Sequence, residues 1–425
     1  MAKQDTSTVV PRLRFPEFRG ANGWRTTPLE RIAERVATKN SGGRVARVLT
    51  NSAEFGVLNQ RDYFDKDIAT AGKVDGYYIV DKGDYVYNPR TSTIAPVGPI
   101  SRNNLGEGVM SPLYTVFRFS ADQTDFYEHY FRSTGWHSYL RSAASTGARH
   151  DRMSITAGAF MRMPMPMPSS AEQQKISACL TSLDEVIAAQ GRKVEALKTH
   201  KRGLMQQLFP REGEARLRLR FPEFLNAPEW ESTILEQLAD IQSGSTPSKA
   251  NPAFWNGSIP WVSAKDMKQL FLEDAEDHIS TAAVEDGARL VPAGTLLMLT
   301  RGMMLLKDVP ICVLRREMSI NQDVKALRPK GDVNGLFLAF LLLGNKHRLL
   351  KMVDIAGHGT GKLNTDELRA LELASPRPVE QHRIADCLSS LDTQIAAESN
   401  QLAALKTHKQ GLMQQLFPVP EATGA

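Results

Sequence analysis

The sequence predicts an α+β protein with two similar mixed α/β domains, joined by two long helices that pack as an antiparallel coiled coil in a pseudo-twofold internal repeat. Two observations predict this fold class. Blocks of sequence recur at a nearly fixed spacing along the 425 residues. Two long stretches have apolar residues spaced alternately by three and four, which is the coiled-coil period. Short runs of β-branched and aromatic residues between turn residues predict strands elsewhere.

The internal repeat has three blocks that flank two diverged segments. Residues 12–18 recur at 218–224, residues 172–189 at 380–397, and residues 196–210 at 404–418. The diverged segments, about residues 25–165 and 231–373, are called insert 1 and insert 2. A tandem duplication without functional meaning is the alternative. A repeated frame around two unlike inserts favours two sites with related but non-identical tasks.

Each predicted helix is bounded by proline, because the first lies between Pro168 and Pro210 and the second between Pro378 and Pro418, and proline stops a helix. A length of roughly 37 residues corresponds to a rod of about 55 Å. The apolar seams match position by position, and both contain the same two polar exceptions. These exceptions are Gln190 and Lys201 in the first helix and Glu398 and Lys409 in the second.

A helix with such a seam needs a partner, and its twin in the same chain is the simplest one. Antiparallel packing would make the pair a ruler that fixes the distance between two sites. A helical hairpin that only holds domains together is the alternative. Gly203 and Gly411 weaken a helix, and their recurrence favours a tight packing contact or a bend.

The inserts share a local pattern in which an arginine follows a strand, Arg90 in insert 1 and Arg301 in insert 2. A helical stretch comes next in each insert, at about residues 125–144 and 336–353. The strands are predicted at residues 77–80, 85–87 and 114–119 of insert 1 and at residues 289–291 and 296–300 of insert 2.

Each insert closes with a glycine-rich basic loop, residues 147–152 and 357–362. Arginine can bind O6 and N7 of guanine in a bidentate way, and backbone N–H groups of such loops bind phosphate. A solvated basic turn is the alternative, but recurrence at matching positions favours DNA contact. The candidate DNA-contacting residues are Arg90, Thr91, Arg149, His150, Arg152, Lys249, Lys265, Arg301 and Lys362.

The sequence predicts no catalytic residue, cofactor site or metal site in this chain. Gly361-Lys362 lacks the glycine and the hydroxyl residue of a P-loop, since Ala356 and Leu363 stand at those places. Residues 87–90 lack the second proline and the aromatic residue of the amino-methyltransferase motif. The nine histidines show no zinc-binding spacing, and no nucleophile elbow is present.

The composition is typical of a folded protein in a reducing compartment. The net charge of +5 permits a nucleic-acid partner, and three sparse cysteines argue against a disulfide framework. The first residues lack the apolar core of a secretion signal, and the longest apolar run, residues 336–343, is too short for a membrane span. We therefore expect a cytoplasmic protein without membrane contact.

The chain resembles the specificity subunits of type I restriction-modification systems, on motifs that cover nearly its whole length. The motifs are the Leu-Arg-Phe-Pro-Glu-Phe blocks ending at residues 18 and 224, residues 244–249 and 255–262 of insert 2, and the Leu-Met-Gln-Gln-Leu-Phe-Pro ends of both helices. Insert 1 lacks the Ser-Gly-x-Thr-Pro opening of the family. This difference implies a recognition domain of another subtype.

The resemblance implies a DNA-binding subunit that is not itself an enzyme. Each insert would be a target-recognition domain that reads one half of an asymmetric, bipartite site in double-stranded DNA, and the coiled coil would set the unspecified gap. The subunit would dock two adenine-N6 methyltransferase subunits, which recruit two motor/nuclease subunits. S-adenosylmethionine, ATP and Mg²⁺ would be bound by those partners, so no cofactor is expected here.

Two other functions stay open. A methyltransferase fused to its own recognition domain would bind S-adenosylmethionine alone, and a pure assembly scaffold would not touch DNA. The expected boundaries are residues 1–168 for recognition domain 1, 169–210 for the first spacer helix, 211–376 for recognition domain 2, 377–418 for the second spacer helix and 419–425 for a flexible tail.

Overall fold

The protein contains two compact units, unit 1 (Met1–Gln190 with Gln401–Ala425) and unit 2 (Gly191–Asn400). Its structure is a computed structural model that describes residues 8–63, 74–120, 124–144, 151–210, 217–355 and 359–418. Both units are mixed α/β, and each contains the beginning of one long helix and the end of the other. The predicted fold class is confirmed.

Unit 1 consists of short strands and helices before the first long helix, α5 (Ser170–Leu208). The strands are β1 (Thr8–Val9), β2 (Trp24–Pro28), β3 (Ala33–Val36), β4 (Leu49–Ser52), β5 (Gly56–Asn59), β6 (Tyr78–Val80), β7 (Tyr85–Tyr87), β8 (Ile100–Arg102), β9 (Gly108–Met110), β10 (Thr115–Phe119) and β11 (Pro164–Met167). The other helices are α1 (Gln60–Tyr63), α2 (Thr124–Phe131), α3 (His137–Ala143) and α4 (Ala157–Met161). The strands predicted for insert 1 are confirmed as β6, β7 and β10.

Unit 2 has the corresponding elements before the second long helix, α11 (Pro378–Leu416). The strands are β12 (Glu231–Ile234), β13 (Ala239–Ser243), β14 (Ile259–Val262), β15 (Phe271–Leu272), β16 (Asp277–Ile279), β17 (Leu290–Val291), β18 (Leu296–Leu299), β19 (Arg301–Gly302), β20 (Ile311–Leu314), β21 (Met318–Ile320), β22 (Val324–Pro329), β23 (Val353–Ile355), β24 (Gly361–Leu363) and β25 (Glu372–Ser375). The helices are α6 (Leu235–Leu238), α7 (Thr281–Glu285), α8 (Gly335–Gly344), α9 (Lys346–Lys351) and α10 (Thr365–Arg369).

The helical stretch predicted late in each insert is confirmed, and each stretch contains two short helices. In unit 1 the break between α2 and α3 lies at Ser133, whose hydroxyl donates to the carbonyl of Tyr130 at 2.6 Å. In unit 2, α8 ends at Gly344, and the amide of Asn345 donates to the carbonyl of Leu341 at 2.8 Å. Side chains that bond to the backbone locally compete with helix continuation.

The same sheet underlies both inserts although their sequences differ. In unit 1 the strand order is β3-β10-β7-β8, and in unit 2 it is β13-β22-β18-β20 with β15 added at the edge. The first and last strands of each insert also pair antiparallel, β2 with β11 and β12 with β25. The two ends of each insert thus lie side by side. We call these two-stranded pairs, β2 with β11 and β12 with β25, the necks.

The cores of the two units differ in chemistry. The core of unit 1 is rich in aromatic side chains, and that of unit 2 is mostly leucine, valine and methionine. In both, the phenylalanine after the end of a long helix enters the core. Phe417 contacts Phe126 and Tyr130 edge to face, and Phe209 contacts Phe337 and Trp230. This burial explains why Leu-Phe-Pro recurs at the end of each helix.

The first repeated block forms a buried ion pair with the beginning of a long helix. Arg14 donates from Nε and Nη2 to the carboxylate of Glu172 at 2.6 and 2.7 Å, and Arg220 does the same to Glu380 at 2.8 and 2.7 Å. The two carboxylates are 1% and 2% exposed. We call this arrangement the neck clamp.

The neck clamp also receives the end of the other helix. The backbone N–H of Leu13 donates to the carbonyl of Gln415, and that of Leu219 to the carbonyl of Gln207. The first repeated block therefore joins a helix beginning to a helix end in each unit. This double contact explains why all three repeated blocks stay nearly identical.

Three of the four polar exceptions in the coiled-coil seam form ion pairs between the two long helices. In unit 2, Lys201 donates to both oxygens of Asp392 at 2.6 Å, and in unit 1 the equivalent Lys409 pairs with Asp184. Lys193 pairs with Glu398 at 2.6 Å as a further contact in unit 2. Residue numbers that rise along α5 meet falling numbers on α11, so the predicted antiparallel packing is confirmed in unit 2.

The tight contact expected at the repeated helix glycines is wrong. A Cβ atom added at Gly203 or Gly411 would meet nothing within 4 Å outside its own helix, and both α5 and α11 continue through these positions. Pro164 and Pro166, which precede the first long helix, lie in β11, an edge strand, where the missing N–H of proline is tolerated.

Replacing Arg220 by methionine should reduce the unfolding free energy of unit 2 by about 3–5 kcal/mol, because it leaves the buried Glu380 carboxylate without its cation. Urea denaturation of the full chain measures the loss. Arg218→Met is the matched control, since Arg218 is exposed and an exposed charge contributes at most about 1 kcal/mol. Equal destabilisation by the two substitutions would contradict the neck clamp.

Candidate nucleic-acid interface

Three of the predicted site residues of unit 1 lie together where β7 ends. Arg90 and Arg152 form an isolated antiparallel β-bridge, and the N–H of Thr91 donates to the carbonyl of Asp151 at 2.9 Å. The Arg90 guanidinium lies 4.0 Å from the Asp151 carboxylate, with both side chains more than half exposed. Backbone pairing therefore brings together two arginines that are 62 positions apart (152 minus 90).

A cavity of about 340 Å³ opens beside this pair of arginines. Most of its lining side chains carry hydroxyl, amide or guanidinium groups, which can bind phosphate or the edges of bases. The polar lining residues are Thr50, Asn51, Ser52, Tyr63, Asn88, Arg90, Thr91, Ser92, Ser111, Tyr114 and Arg152.

Two asparagines hold the backbone that carries Arg90. The amide of buried Asn51 donates to the carbonyls of Val86 and Pro99, and the amide of Asn88 donates to the carbonyl of Asn51 at 2.8 Å. The Asn88 side-chain oxygen then accepts from the N–H of Arg90 at 3.0 Å. These bonds fix the backbone of Arg90, while its side chain stays exposed.

Unit 2 places its predicted basic residues in the same way. Arg301 in β19 lies opposite Lys362 in β24, and both side chains are exposed. β19 follows β18, which has the place in the sheet of unit 2 that β7 has in unit 1. Arg90 with Arg152 and Arg301 with Lys362 are therefore equivalent cross-strand basic pairs, called basic pair 1 and basic pair 2.

The charge of basic pair 2 is only partly offset nearby. Within the described ranges, neither Arg301 nor Lys362 has an ion-pair partner, although the exposed Asp354 is the cross-strand neighbour of Lys362 on β23. Opposite positions on adjacent strands share a face of the sheet. Two cations with one carboxylate on a single small face give a net positive surface.

The predicted site residue Lys249 lies in an exposed loop that neighbouring tryptophans hold. The indole N–H of Trp261 donates to the carbonyl of Ser245 at 3.0 Å, and that of Trp255 to the carbonyl of Ser248 at 3.2 Å. A Cβ at Gly244 would lie 2.1 Å from the carbonyl oxygen of Ile320, so glycine is required there. The motif of residues 244–262 thus contains the loop that carries Lys249 and the two tryptophans that hold this loop by hydrogen bonds.

Lys265 is neutralised by acidic neighbours. Its ammonium group lies 3.0 Å from Asp277 and 3.1 Å from Glu276. Hydrogen bonds to Asp277 and then to Glu276 raise the pKa of Lys265. The structure does not give this residue the unpaired charge of basic pair 2, and a phosphate would have to compete with two carboxylates.

Arg149 and His150 lie outside the described residues. Other groups beside the basic pairs had no sequence signal. Asn51 lies in β4, Asn88 follows β7 and Tyr114 precedes β10, and all three line the cavity of unit 1. Exposed Met303 follows Gly302 in an ordinary apolar run. Of these residues, only Met303 could have been found from the sequence, because it lies two positions after Arg301.

The described residues offer neither a metal-binding cluster nor a membrane-spanning helix. No cluster of three or more His, Cys, Asp or Glu side chains that could hold a metal ion occurs in the described ranges. No helix in the described part of the chain is both long and apolar enough to cross a bilayer.

Comparisons with known proteins agree with this architecture of paired mixed α/β units carrying two long helices. Residues 228–407 match the family described as type I restriction modification DNA specificity domain. A curated type I restriction enzyme specificity subunit of Escherichia coli is 27% identical over 266 residues, 61% of this chain and 62% of that protein. One from Methanocaldococcus jannaschii is 28% identical over 178 residues, 41% of this chain and 40% of that protein. The chain thus spans less than two thirds of either relative.

Solved structures share the fold. A chain from a structure of the type I R-M system has a TM-score of 0.57 at 18% identity and covers 93% of this chain and 98% of that chain. The type I restriction-modification S subunit from M. genitalium has a TM-score of 0.57 at 12% identity over 96% and 99% of the two chains. The family match thus covers residues 228–407, and the solved structures show that nearly the whole chain shares their fold.

Proposed function

We propose that the chain is the DNA-reading specificity subunit of a type I restriction-modification complex and performs no catalysis itself. The observation that carries this proposal is that basic pair 1 and basic pair 2 follow β7 and β18, which have the same place in the strand order of two units of unlike sequence. Exposed cations bind phosphates and read guanine in the major groove. The curated relatives support it, since they are named as specificity subunits.

Each unit reads one half of a bipartite, asymmetric site in double-stranded DNA. The recognition domains are residues 1–168 and 211–376, with the spacer helices at 169–210 and 377–418. The site of unit 1 uses Arg90, Thr91 and Arg152, with Arg149 and His150 as further candidates. The site of unit 2 uses Arg301, Lys362 and Lys249, while Lys265 contributes less because of its carboxylate partners.

The long helices set the gap between the half-sites and dock two methyltransferase subunits, which in turn recruit motor/nuclease subunits. Exposed helix residues that are identical in both repeats support the docking, because packing does not require their identity. Examples are Thr199 with Thr407 and Gln206 with Gln414. Two equal surfaces fit two copies of one partner.

Exchanging insert 1 for that of another family member should change one half of the methylated motif. Residues 24–167 should be moved as one piece, because β2 and β11 pair at the neck. Methylome sequencing of cells that express the chimera with its methyltransferase subunits measures the outcome, and exchange of residues 230–375 is the reciprocal control. A change in both halves would refute one unit per half-site, and no change would favour a scaffold.

A heptad inserted into both helices at the boundary of the units should lengthen the gap by about three base pairs. Insertion after Gln190 and after Asn400 keeps the ion pairs of Lys201 and Lys409 within their own units. Seven residues add about 10 Å, which is about three steps of DNA. Insertion in one helix only is the control, and an unchanged gap would exclude the ruler.

Arg301→Ala should weaken DNA binding by the full complex and lower the slope of log affinity against log salt by about 1 if Arg301 binds a phosphate. If it reads a base, the loss is about 1–3 kcal/mol at one position of the half-site. Titration of labelled duplexes at several salt concentrations separates these cases. Arg316→Ala is the control, because Arg316 is exposed and follows β20, whose end lies beside the beginning of β18 and away from Arg301. Unchanged affinity would remove Arg301 from the site.

A further inference from the structure

An exposed apolar turn directly follows the arginine of basic pair 2. The 3₁₀ helix Met303–Leu306 comes after Arg301 and Gly302. Met303 is 63% exposed, and Met304 and Leu306 are about two-fifths exposed. Ile355 on β23, across β24 from Gly302, is 71% exposed. We call Met303 and Met304 with their turn the methionine tip.

The methionine tip is held in place and does not hang free. Leu305, between the exposed residues, is 1% exposed, and it packs on Gly361 of β24. A Cβ at Gly361 would lie 2.7 Å from the Cβ of Leu305, so only glycine leaves room for this contact. Gly361 also pairs with Gly302, whose φ of 140° favours glycine. Because Leu305 points inward, Met303 and Met304 are presented outward.

The surroundings of the methionine tip fit a polyanion with apolar groups on it. Exposed apolar side chains gathered in one place mark a binding surface. Here they lie beside Arg301 and Lys362, whose cross-strand pairing fixes two cations at the base of the tip. The major groove of DNA offers this combination, since phosphates line its edges and the 5-methyl group of thymine projects into it.

The equivalent turn of unit 1 has different chemistry. Thr91, Ser92 and Thr93 follow Arg90 where Gly302, Met303 and Met304 follow Arg301. The hydroxyl of Ser92 accepts from the N–H of Ala95 at 3.1 Å and closes the turn. Hydroxyl groups thus replace thioethers, although exposed Ile94 comes next.

This difference argues against a shared protein partner at the tips. Two copies of one methyltransferase subunit would need the same chemistry on both units, as the identical exposed residues of the helices provide. Unlike turns after two equivalent strands, β7 and β18, fit two unlike half-sites.

From these observations we infer that Met303 and Met304 contact thymine 5-methyl groups in the half-site read by unit 2 and set a thymine preference there. The inference rests on the proposed function and adds to it the two residues that select thymine at one position. Flexible thioether side chains adapt to irregular apolar surfaces, and Arg301 and Lys362 fix the register of the tip on the phosphates.

Deoxyuridine tests this contact because it removes only the methyl group of thymine. The recognised motif is first read from the methylome, and each thymine of the half-site of unit 2, on either strand, is then replaced singly. The complete complex should bind one such duplex about fourfold more weakly, as expected for the ~0.8 kcal/mol of one buried methyl group. The Met303→Ser/Met304→Ser double variant should bind thymine and deoxyuridine duplexes equally.

Leu225→Ser is the matched control, since Leu225 is a similarly exposed apolar residue of unit 2 outside the tip, and it should keep the discrimination. Discrimination that survives in the double variant, or its absence in the wild-type complex, would overturn the inference. Loss of the methyltransferase subunits from the double variant on purification would also overturn it, in favour of a protein-docking surface. If the proposed function itself is wrong, the wild-type complex will not prefer the unmodified motif over a scrambled duplex.

Discussion

The neck clamp is the constraint on which the rest of this structure depends. A carboxylate that is almost fully buried at the first turn of each long helix is tolerable only with a cation and further hydrogen bonds around it. In unit 2, Arg220 supplies the cation and Trp230 donates a further hydrogen bond to the Glu380 carboxylate. Arg220 is itself held by its hydrogen bonds to the carbonyls of Ala227 and Pro228. The chain therefore enters and leaves each insert at the same fixed place, the two-stranded neck.

A fixed neck lets the insert of each unit vary independently of the repeated blocks and the long helices. The first and last strands of each insert pair beside the clamp, so an insert can change in length or sequence between them without moving the helix. The different cores illustrate this freedom, because aromatic packing in unit 1 and aliphatic packing in unit 2 surround the same order of four strands. Phe417, after the end of α11, lies in the core of unit 1, and Phe209, after the end of α5, lies in the core of unit 2. Each core therefore includes residues that are distant in sequence from its insert.

The sequence predicted the frame better than the interior, for a physical reason. Heptads and repeated blocks are local patterns, so the long helices and their seam could be identified from residue spacing. Sheet order and charge pairing depend on residues far apart. The ion pairs of Lys265 with Glu276 and Asp277 neutralise a residue that looked like a DNA contact. The breaks at Ser133 and Asn345 depend on side-chain bonds to the backbone, and periodicity does not detect those.

The pattern of identity and difference between the repeats separates packing from recognition. Residues that must pack in both units, such as the clamp arginines and the helix-end phenylalanines, are identical because the same geometry recurs. Exposed helix residues that are also identical need another cause, and an equal partner on each unit supplies one. The turns after Arg90 and Arg301 are exposed, follow the equivalent strands β7 and β18, and differ in chemistry. Packing alone would leave such positions free to vary, but it would not explain an apolar tip kept in solvent, anchored by Leu305 and flanked by two cations; an anionic ligand with apolar groups explains all three features.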